Sequence, residues 1–406
     1  MHLLYVATSF SSLTHTFIAR EVTALRERGV VVDLLALRRT RMAEATNPEC
    51  DVAGCHYVYP VTAWQIAGSA LRMAVTRPGR WWRAVWTALS SPGDCLADRA
   101  KMLGQLLVAA TAIGAVEARR PELMHAHLAN PPASYAMFLS LLTGIPFSFT
   151  AHAADLYRRP VGNRVKLRLA AGAVAISRYN LDHYRNLVPG FDRGKIVHCG
   201  VRPADFPFRE RAVSDECLTI LAVGRAVPKK GFDDLLTALA QLTTAGVAWR
   251  AHLVGGGPLL DELRDQKARL GLDDLEIAGA LQQAEVRRLL DEADVFVLPC
   301  IPAPDGDVDG IPVSLMEAMA AGCPVVSTRV SGIPELLDDG EAGVLVDPGS
   351  PDDLAAALER LAREPELVRQ LGRAGHQRVI ADFDVNVEAA KLHEFFAQLL
   401  ARGLGR

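Results

Sequence analysis

The chain has 406 residues, and at about 150 residues per domain this length predicts two to three domains. Apolar residues make up 50% of the chain and charged residues 22%, a composition that excludes a mainly disordered protein. The net charge of −3, with both signs mixed along the chain, excludes a general nucleic-acid coat, so we expect no nucleic-acid partner.

The N-terminal half alternates short apolar strands with helical patterns. It opens with MHLLYVATSF, which lacks the basic segment and cleavage site of a signal peptide and reads as a first strand. The predicted elements are strand 3–7, helix 16–28, strand 30–37, strand 123–127, helix 133–142 and strand 147–150.

Residues 62–90 have an unusual composition. The surrounding stretch 52–93 contains no Asp or Glu, and it carries Trp64, Trp81, Trp82, Trp86, Arg72, Arg77, Arg80 and Arg83. Helical patterns rich in Trp and Arg suit an anionic membrane interface. Arginine stems also pack over Trp faces within proteins and oligomers. Both interpretations of residues 62–90 are open.

The cellular compartment is indicated by two further features. No uninterrupted apolar run reaches the roughly 18 residues that span a bilayer, and the longest, 106–116, predicts a buried helix. Seven scattered cysteines without a C-x-x-C pair predict reduced thiols. We therefore expect a cytoplasmic protein, located at the inner face of the membrane if residues 62–90 bind lipid.

The second half repeats the same rhythm. Its predicted elements are strand 218–223, a helix from 233, strand 251–254, a helix from 259, strand 275–277, a helix from 285, strand 295–298, a helix from 312, strand 325–327 and a last helix from 385. This βαβ alternation predicts an α/β protein with parallel sheets covered by helices on both faces.

Residues 203–216 are charged, contain Pro and lack periodicity, which predicts an interdomain linker. We expect two doubly wound, Rossmann-like domains, 1–205 and 215–380, followed by a C-terminal helix in 381–406 that can pack back on the first domain. Ligands bind beyond the carboxyl ends of parallel strands, so two such domains predict a ligand in the cleft between them.

Two candidate sites follow strands of the first domain. His152 comes directly after strand 147–150 at the predicted cleft edge, with Asp155 one turn later; a capping histidine is the alternative. His125 and His127 share one face of strand 123–127, which is a weak metal signal because the sequence indicates no third ligand.

Three candidate segments follow strands of the second domain. In VGRAVPKKGF, Arg225 and Lys230 suit a diphosphate, and a solvated basic turn is the alternative. In LVGGGPLL, Gly255, Gly256 and Gly257 precede Pro258 at a predicted first helical position. Such glycines let a ligand approach the backbone and the helix start, or they form a tight turn for packing.

The third segment is APDGDVDGIPVSLMEAMAAGCP. Asp309 stands just before the predicted helix, and Glu317 follows eight residues later among apolar neighbours. A carboxylate in such surroundings needs hydroxyl or amide donors, which ribose hydroxyls would supply. A structural Glu satisfied by backbone groups is the alternative.

These segments together carry a family resemblance. The D-x7-E spacing resembles the E-x7-E signature of family-4 retaining glycosyltransferases, which have the GT-B fold. VGRAVPKKGF and VGGGPLL match that family's phosphate-side segments in order and spacing, and MHAHL, FTAHAADLY, AISRYN and HCGV also fall in order. SFSSLTHTFIAREVTALRERG is similar to the F-P-x-x-S-E-T-F-I opening of the exopolysaccharide, colanic-acid-type branch. The resemblance covers nearly the whole chain.

The resemblance implies roles for the matching residues. Arg225 and Lys230 would hold the donor diphosphate, Glu317 the ribose hydroxyls, and Asp309 and His152 the donor sugar, with Asp155 orienting His152. The substrate-binding residues implied beside them are Gly310, Ile311, the backbone N–H groups of Val313 and Ser314, Gly255, Gly256, Gly257 and Pro258, Leu281 near the base, and Thr14, His15 and Thr16 on the acceptor side.

The chain departs from the family pattern at four positions. Asp309 is one methylene shorter than the usual Glu, and Pro312 replaces a Gly and removes one N–H donor, so the sugar contact is less defined. His15 stands where Glu is usual and Ser11 where Pro is usual, which puts acceptor recognition in doubt.

The implied activity is transfer of a sugar from a nucleoside-diphosphate donor, UDP before GDP, to a saccharide or lipid-linked saccharide, with retained configuration. We expect no cofactor and no metal. No carboxylate is placed as a nucleophile, which favours front-side attack. Glycosylation of a small natural product, sugar-nucleotide 2-epimerisation and non-catalytic sensing of a sugar nucleotide are the alternatives.

Overall fold

A computed structural model describes residues 1–10, 16–39, 54–91, 95–158, 160–211 and 217–403. The chain forms two compact units. Unit 1 contains Met1–Gly200 and Val385–Arg406, and unit 2 contains Val201–Asp384. The chain thus passes from unit 1 into unit 2 and returns to unit 1 with its last helix.

Unit 1 is built on a seven-stranded parallel sheet. Its strands are β1 (His2–Ala7), β2 (Val31–Ala36), β3 (His56–Tyr57), β4 (Leu123–His127), β5 (Phe147–Ala151), β6 (Gly172–Ala175) and β7 (Gly194–Ile196). Their order is β3-β2-β1-β4-β5-β6-β7, and every pair is parallel. Strands β1, β4 and β5 are almost wholly buried, as expected for a parallel sheet that is covered on both faces.

Helices cover both faces of this sheet. They are α1 (Thr16–Glu27), α2 (Ala63–Thr76), α3 (Pro78–Leu89), α4 (Leu96–Ala109), α5 (Ile113–Arg119), α6 (Pro132–Thr143), α7 (Asn163–Leu169), α8 (Arg178–Leu187) and α16 (Val385–Gly403). One core joins α3, α4 and α6 to one face, while α1 and α16 pack together in the core on the other.

Unit 2 has a six-stranded parallel sheet. Its strands are β8 (Leu218–Val223), β9 (Trp249–Val254), β10 (Leu275–Gly279), β11 (Val295–Leu298), β12 (Val325–Thr328) and β13 (Val344–Val346), in the order β10-β9-β8-β11-β12-β13. Its helices are α9 (Phe232–Thr244), α10 (Leu260–Leu270), α11 (Gln283–Glu292), α12 (Val313–Ala320), α13 (Ile333–Leu336), α14 (Pro351–Arg363) and α15 (Pro365–Asp382).

The segment predicted as a linker is partly folded onto unit 2. Arg211 is buried, and it donates to the carbonyl oxygens of Asp291 at 2.6 Å and Ala321 at 3.1 Å. A Cβ on Gly322 would meet the Phe208 ring at 2.7 Å, so this ring packs against the end of α12. Residues 201–211 therefore belong to unit 2, and residues 212–216 lie outside the described part.

One helical stretch is long enough to cross a membrane. Leu96–Arg119, which joins α4 and α5 through a short 3-10 turn, meets the criterion by length and composition, although no uninterrupted apolar run predicted it. Met102, Leu106, Ile113 and Val116 from this stretch lie in the core of unit 1. This packing is that of a core helix.

Candidate functional site

The candidate donor residues collect at one edge of the sheet in unit 2. Strands β10, β9, β8 and β11 are neighbours, and all are parallel. The segments that follow them therefore start at the same carboxyl edge. The strand order reverses between β8 and β11, which is the position where open parallel sheets bind ligands.

Two lysines and two aspartates form an ion-pair cluster at this edge. Lys230 Nζ lies 2.7 Å from Asp309 Oδ2, and Lys229 Nζ lies 3.2 Å from both Asp309 Oδ1 and Asp307 Oδ1. The Sγ atom of buried Cys300 donates to Asp309 Oδ2 at 3.3 Å. The cluster fixes the loop between β11 and α12 to the turn after β8.

The pKa values of this cluster follow from its charges. Burial by itself raises the pKa of the Asp309 carboxyl, but Lys230 and Lys229 outweigh burial, and the net pKa is lowered. Burial likewise lowers the pKa of the Lys230 ammonium, and Asp309 reverses the sign, so that pKa is raised. Both groups are therefore charged at neutral pH.

Arg225 is placed differently from Lys230. It follows β8 and is exposed, whereas Lys230 lies in a short 3-10 turn with its side chain 12% exposed. The Lys230 stem passes over Gly224, where an added Cβ would lie 3.3 Å from Lys230 Cε. One exposed and one nearly buried cation thus stand on the same turn.

The glycine turn after β9 packs directly against the turn after β8. Gly255 has φ +143°, and a Cβ there would lie 1.8 Å from the carbonyl oxygen of Gly224. A Cβ on Gly257 would lie 2.4 Å from the carbonyl oxygen of Ala226. Gly256 is different, because a Cβ there would meet only Ala280 Cβ, at 3.6 Å. Close packing therefore requires Gly255 and Gly257.

Pro258 is not at the first helical position predicted for it. Helix α10 begins at Leu260 with Leu259 as its N-cap, so Pro258 lies in the turn before the helix. The N–H of Leu259 bonds to the carbonyl oxygen of Ala226 at 3.2 Å. This bond holds Pro258 and Leu259 in the turn, and the helix begins only at Leu260.

Helix α12 places Glu317 and two backbone donors. Pro312 is its N-cap without a side-chain cap bond, so Val313 and Ser314 are in the first turn, whose N–H groups have no partner within the helix. The Ser314 hydroxyl donates to the carbonyl oxygen of Val223 at 3.1 Å, which ties the helix to the end of β8. Glu317, one turn on, is half-buried and lines an apolar crevice.

The remaining residues predicted in unit 2 flank these groups. Gly310 and Ile311 are buried just before α12. Leu281 is half-buried after β10. The Gly255 N–H bonds to the carbonyl oxygen of Gly279 at 2.7 Å, which holds the segment before Leu281 against the glycine turn.

In unit 1, Asp155 holds backbone rather than the His152 ring. Its carboxylate accepts from the N–H of His152 at 3.1 and 3.3 Å and from the N–H of Ala129 at 2.6 Å. Burial raises the pKa of this carboxyl, although those N–H groups act in the opposite direction. Fully buried Lys166 donates to the carbonyl oxygen of Ala129 at 2.5 Å, so the loops after β4 and β5 are fixed together.

The His152 ring contacts a His–Glu pair that joins α1 to β4, in which His127 is buried and Glu21 is partly exposed. His127 Nδ1 lies 3.4 Å from His152 Nε2, and His127 Nε2 lies 2.7 Å from Glu21 Oε1. Thr16 is the first residue of α1, the helix that carries Glu21. Thr14 and His15 lie outside the described residues.

The structure adds a third candidate metal ligand, the Glu21 carboxylate, to the two histidines of β4. Ligand atoms of Glu21, His125 and His127 lie within 4.8 Å of one another. His125, however, bonds through Nδ1 to the Ser148 hydroxyl at 2.8 Å and through Nε2 to the Thr150 hydroxyl at 3.0 Å. Binding a metal would break one of these buried bonds, so the three groups do not fit a preformed site.

The segment 62–90 forms α2 and α3, which bury one side and expose the other. Trp81 lies in the core at 6% exposure, so it cannot meet an external surface. Arg77 pairs with Glu117 and donates to the carbonyl oxygen of Leu142, and Arg80 reaches the same oxygen. The exposed apolar side chains are Trp64, Leu71, Val75, Trp82, Trp86 and Leu89.

Three site residues were not predicted from the sequence. Lys229 and Asp307 belong to the ion-pair cluster, and the adjacent Lys229–Lys230 pair and the repeated Asp of DGDVDG were the available signals. Glu21 was missed because His127 is 106 residues away. Glu21 lies four residues after Phe17, whose ring contacts His152, so the two side chains share one face of α1. This spacing was the signal that could have indicated Glu21.

Comparison with known proteins gives one family match within unit 2 and relatives that align with nearly the whole chain. The family model described as "Glycosyl transferases group 1" matches residues 205–378. The amylovoran biosynthesis glycosyltransferase AmsK of Erwinia amylovora is 30% identical over 98% of this chain and 100% of its own length. The putative colanic acid biosynthesis glycosyltransferase WcaL of Salmonella typhimurium is 28% identical, covering 97% of this chain and 99% of its own.

A solved structure shows the same architecture. Anabaena Alr3699/HepE, crystallised in complex with UDP, matches with a TM-score of 0.71 and 17% identity over 98% of this chain and 100% of its own. The prediction of two parallel-sheet α/β domains of the GT-B type is confirmed.

Proposed function

Because the chain belongs to the glycosyl transferases group 1 family, with the amylovoran and colanic acid biosynthesis glycosyltransferases as relatives, we propose that it moves a sugar from a nucleoside-diphosphate donor to a saccharide hydroxyl with retention of configuration. The observation that carries the proposal is the gathering of Arg225, Lys230, Glu317 and the start of α12 at one edge of the unit 2 sheet.

These groups match the parts of a nucleoside diphosphate. Exposed Arg225 offers a planar fork, and Lys230 a fixed charge, to the diphosphate. The first turn of α12 adds N–H groups and the positive end of a helix dipole. Glu317 can accept from both ribose hydroxyls, since a carboxylate is an acceptor only.

The difficult step is departure of the nucleoside diphosphate while positive charge develops on the sugar ring. Arg225 and Lys230 stabilise the leaving diphosphate. Asp309 is held by two ammonium groups and its pKa is lowered, so it is a weak nucleophile. We therefore favour front-side attack, in which the departing phosphate oxygen accepts the acceptor's proton. A glycosyl group trapped covalently on Asp309 would overturn this mechanism.

We propose a UDP-sugar as the first donor to test, because HepE was crystallised with UDP, and a GDP-sugar next. The names of the relatives favour a saccharide or lipid-linked saccharide acceptor of exopolysaccharide synthesis. A small natural product is the second acceptor class. No metal or other cofactor enters the proposed chemistry.

Incubation with candidate donors separates the transferase from the other two classes. A transferase releases nucleoside diphosphate slowly even without acceptor. A sugar-nucleotide 2-epimerase converts the donor without cleaving it, and a sensor does neither. Mass spectrometry of the donor after incubation distinguishes the three outcomes.

Arg225 gives the sharpest variant test of the donor site. Because the side chain is exposed, Arg225→Ala should leave the fold intact, raise KM for the donor and lower kcat. The matched control is Arg264→Ala, which removes an exposed arginine of α10 that pairs with Asp261, three residues earlier on the same helix. Equal kinetics for the two variants would refute a donor site at Arg225.

We also propose that the exposed face of α2 and α3 binds an anionic membrane, which would hold this cytoplasmic enzyme at the inner membrane face. Trp64, Trp82 and Trp86 are 88%, 63% and 71% exposed. Arg72 and Arg83 are exposed beside them, and neither forms an ion pair with any residue in the described ranges. Exposed Trp and Arg without acidic residues favour lipid headgroups.

Vesicle flotation tests this contact. The double variant Trp82→Ser, Trp86→Ser should weaken binding to phosphatidylglycerol vesicles by about tenfold or more, the scale of one to two buried side chains. Ile380→Ser, which changes an exposed apolar residue of α15, is the control. Binding that is unchanged in the double variant, or equal on phosphatidylcholine vesicles, would refute the membrane proposal.

A further inference from the structure

Side chains hold the backbone of His152 on both sides. Strand β5 ends at Ala151, so the N–H and C=O of His152 lie beyond the strand. The N–H donates to the Asp155 carboxylate at 3.1 Å. The carbonyl oxygen accepts from Asn180 Nδ2 at 2.6 Å, and the same amide nitrogen lies 3.4 Å from the carbonyl oxygen of Ala151. Asn180 ends the segment AISRYN and belongs to α8, so the start of this helix is tied to the residue that follows β5.

The partners of Asn180 fix the orientation of its amide group. A backbone carbonyl can only accept, so the amide nitrogen faces His152 and the amide oxygen faces the opposite side. There Oδ1 accepts from the Tyr157 hydroxyl at 2.7 Å and from the Ser177 hydroxyl at 3.3 Å. Burial raises the pKa of the Tyr157 hydroxyl, which therefore keeps the proton that it donates. Both ends of the wholly buried Asn180 side chain are thus hydrogen-bonded.

Helix α8 does not need the Asn180 side chain for its own start. Ser177 is the N-cap, and its hydroxyl accepts from the Asn180 N–H at 3.2 Å. In a capping box, the side chain three residues after the N-cap returns to the N-cap N–H. Asn180 has this position, but its amide nitrogen reaches the end of β5 instead. A buried amide is costly unless it is hydrogen-bonded, so its bonds to the end of β5, rather than helix capping, account for an amide at this position.

We propose that Asn180 is a positioning residue of the proposed reaction, which fixes the backbone of His152 and thereby the place of its ring at the donor sugar. The inference rests on the proposed function, because it requires His152 to contact that sugar. Asn180 acts through His152, since its buried side chain is bonded to protein groups at both ends. An amide suits this place because it donates to a carbonyl and accepts from a hydroxyl, whereas a carboxylate only accepts.

Asn180→Asp tests the proposal, because it keeps the shape of the side chain and removes the N–H donor. We expect kcat to fall about tenfold or more, the scale of a small misplacement of a reacting group. The KM for the donor should stay within about twofold, because the diphosphate and ribose contacts of unit 2 are unchanged. An unchanged kcat, with or without a raised KM, would overturn the proposal.

Tyr157→Phe is a milder second variant, which keeps the proposal testable if Asn180→Asp does not fold. It removes the hydroxyl that donates to Oδ1 and leaves Asn180 in place, and kcat should fall by a smaller factor. If only Tyr157→Phe folds, a wild-type kcat in this variant would overturn the proposal. The matched control is Tyr135→Phe, which removes a buried hydroxyl of α6 that lies 2.9 Å from the Tyr59 hydroxyl. Its kcat should equal that of the wild type, and a loss as large as that of Asn180→Asp would assign the effect to general destabilisation and overturn the proposal.

Hydrogen-exchange mass spectrometry adds a readout that needs no substrate. Exchange in residues 151–158 should be faster in Asn180→Asp than in the wild type and unchanged in Tyr135→Phe. Equal exchange in Asn180→Asp and the wild type would overturn the proposal. In the His152→Ala background, Asn180→Asp should cause no further loss of kcat, and additive losses would also overturn it. Faster exchange in a protein without transferase activity would instead refute the proposed function alone.

Discussion

Replacement of Gly255 by Ala should destabilise unit 2 by steric conflict rather than by loss of a ligand contact. The new Cβ would lie 1.8 Å from the carbonyl oxygen of Gly224, at φ +143°, a conformation that residues with a side chain rarely adopt. Backbone strain of about 1–3 kcal/mol and overpacking of about 1–3 kcal/mol together give roughly 2–6 kcal/mol. For a unit of this size, thermal unfolding should shift downward by roughly 4 °C or more.

The neighbouring Gly256 supplies the control, because its added Cβ would make only an ordinary contact with Ala280. Gly256→Ala should unfold at the wild-type temperature. If the turn also lines the donor site, this variant should raise KM for the donor while stability is unchanged. Differential scanning calorimetry measures both variants, and a wild-type melting profile for Gly255→Ala would refute the packing argument.

Two further predictions concern the ion-pair cluster. Lys230→Ala should lower kcat by a factor of about 10² or more, because it removes a preorganised charge contact to the diphosphate. Asp309 would keep Lys229 as its ion-pair partner in this variant. Near-normal turnover would contradict the diphosphate role of Lys230. Because the folded pKa of Asp309 is lowered, its contribution to stability is complete above about pH 3.9 and is lost as pH falls through the folded pKa. Urea unfolding at pH 7 and pH 3 should therefore show a smaller acid-induced loss in Asp309→Asn than in the wild type, and equal losses would contradict the pairing.

Much of the fold could be predicted from local patterns of apolar and polar residues. The predicted bounds of β4, β8 and β11 agree with the structure to the residue, since each is a short buried run with polar or turn residues at its ends. The carboxyl ends of β8 and of the predicted strand 147–150 then indicated Arg225 and His152 as candidates without any knowledge of packing.

Contacts between segments that are distant in sequence could not be predicted from such local patterns. The pairing of Lys230 with Asp309 joins residues 79 positions apart, and nothing in either segment shows that the side chains meet. The helical pattern is interrupted at Pro78–Gly79, so the periodicity of the preceding helix could not be continued across this break. The sequence alone therefore did not show that Trp81 is buried and Trp82 exposed. Both features depend on tertiary packing.

The fate of the donor sugar tests the central claim most directly. The purified protein is incubated with UDP- and GDP-sugars and a saccharide acceptor, and the products are analysed by mass spectrometry and by NMR of the anomeric centre. Release of the nucleoside diphosphate, with the sugar joined to the acceptor in the donor's anomeric configuration, is the result that the account predicts. An inverted anomeric centre, or a donor that is converted without cleavage, would contradict it.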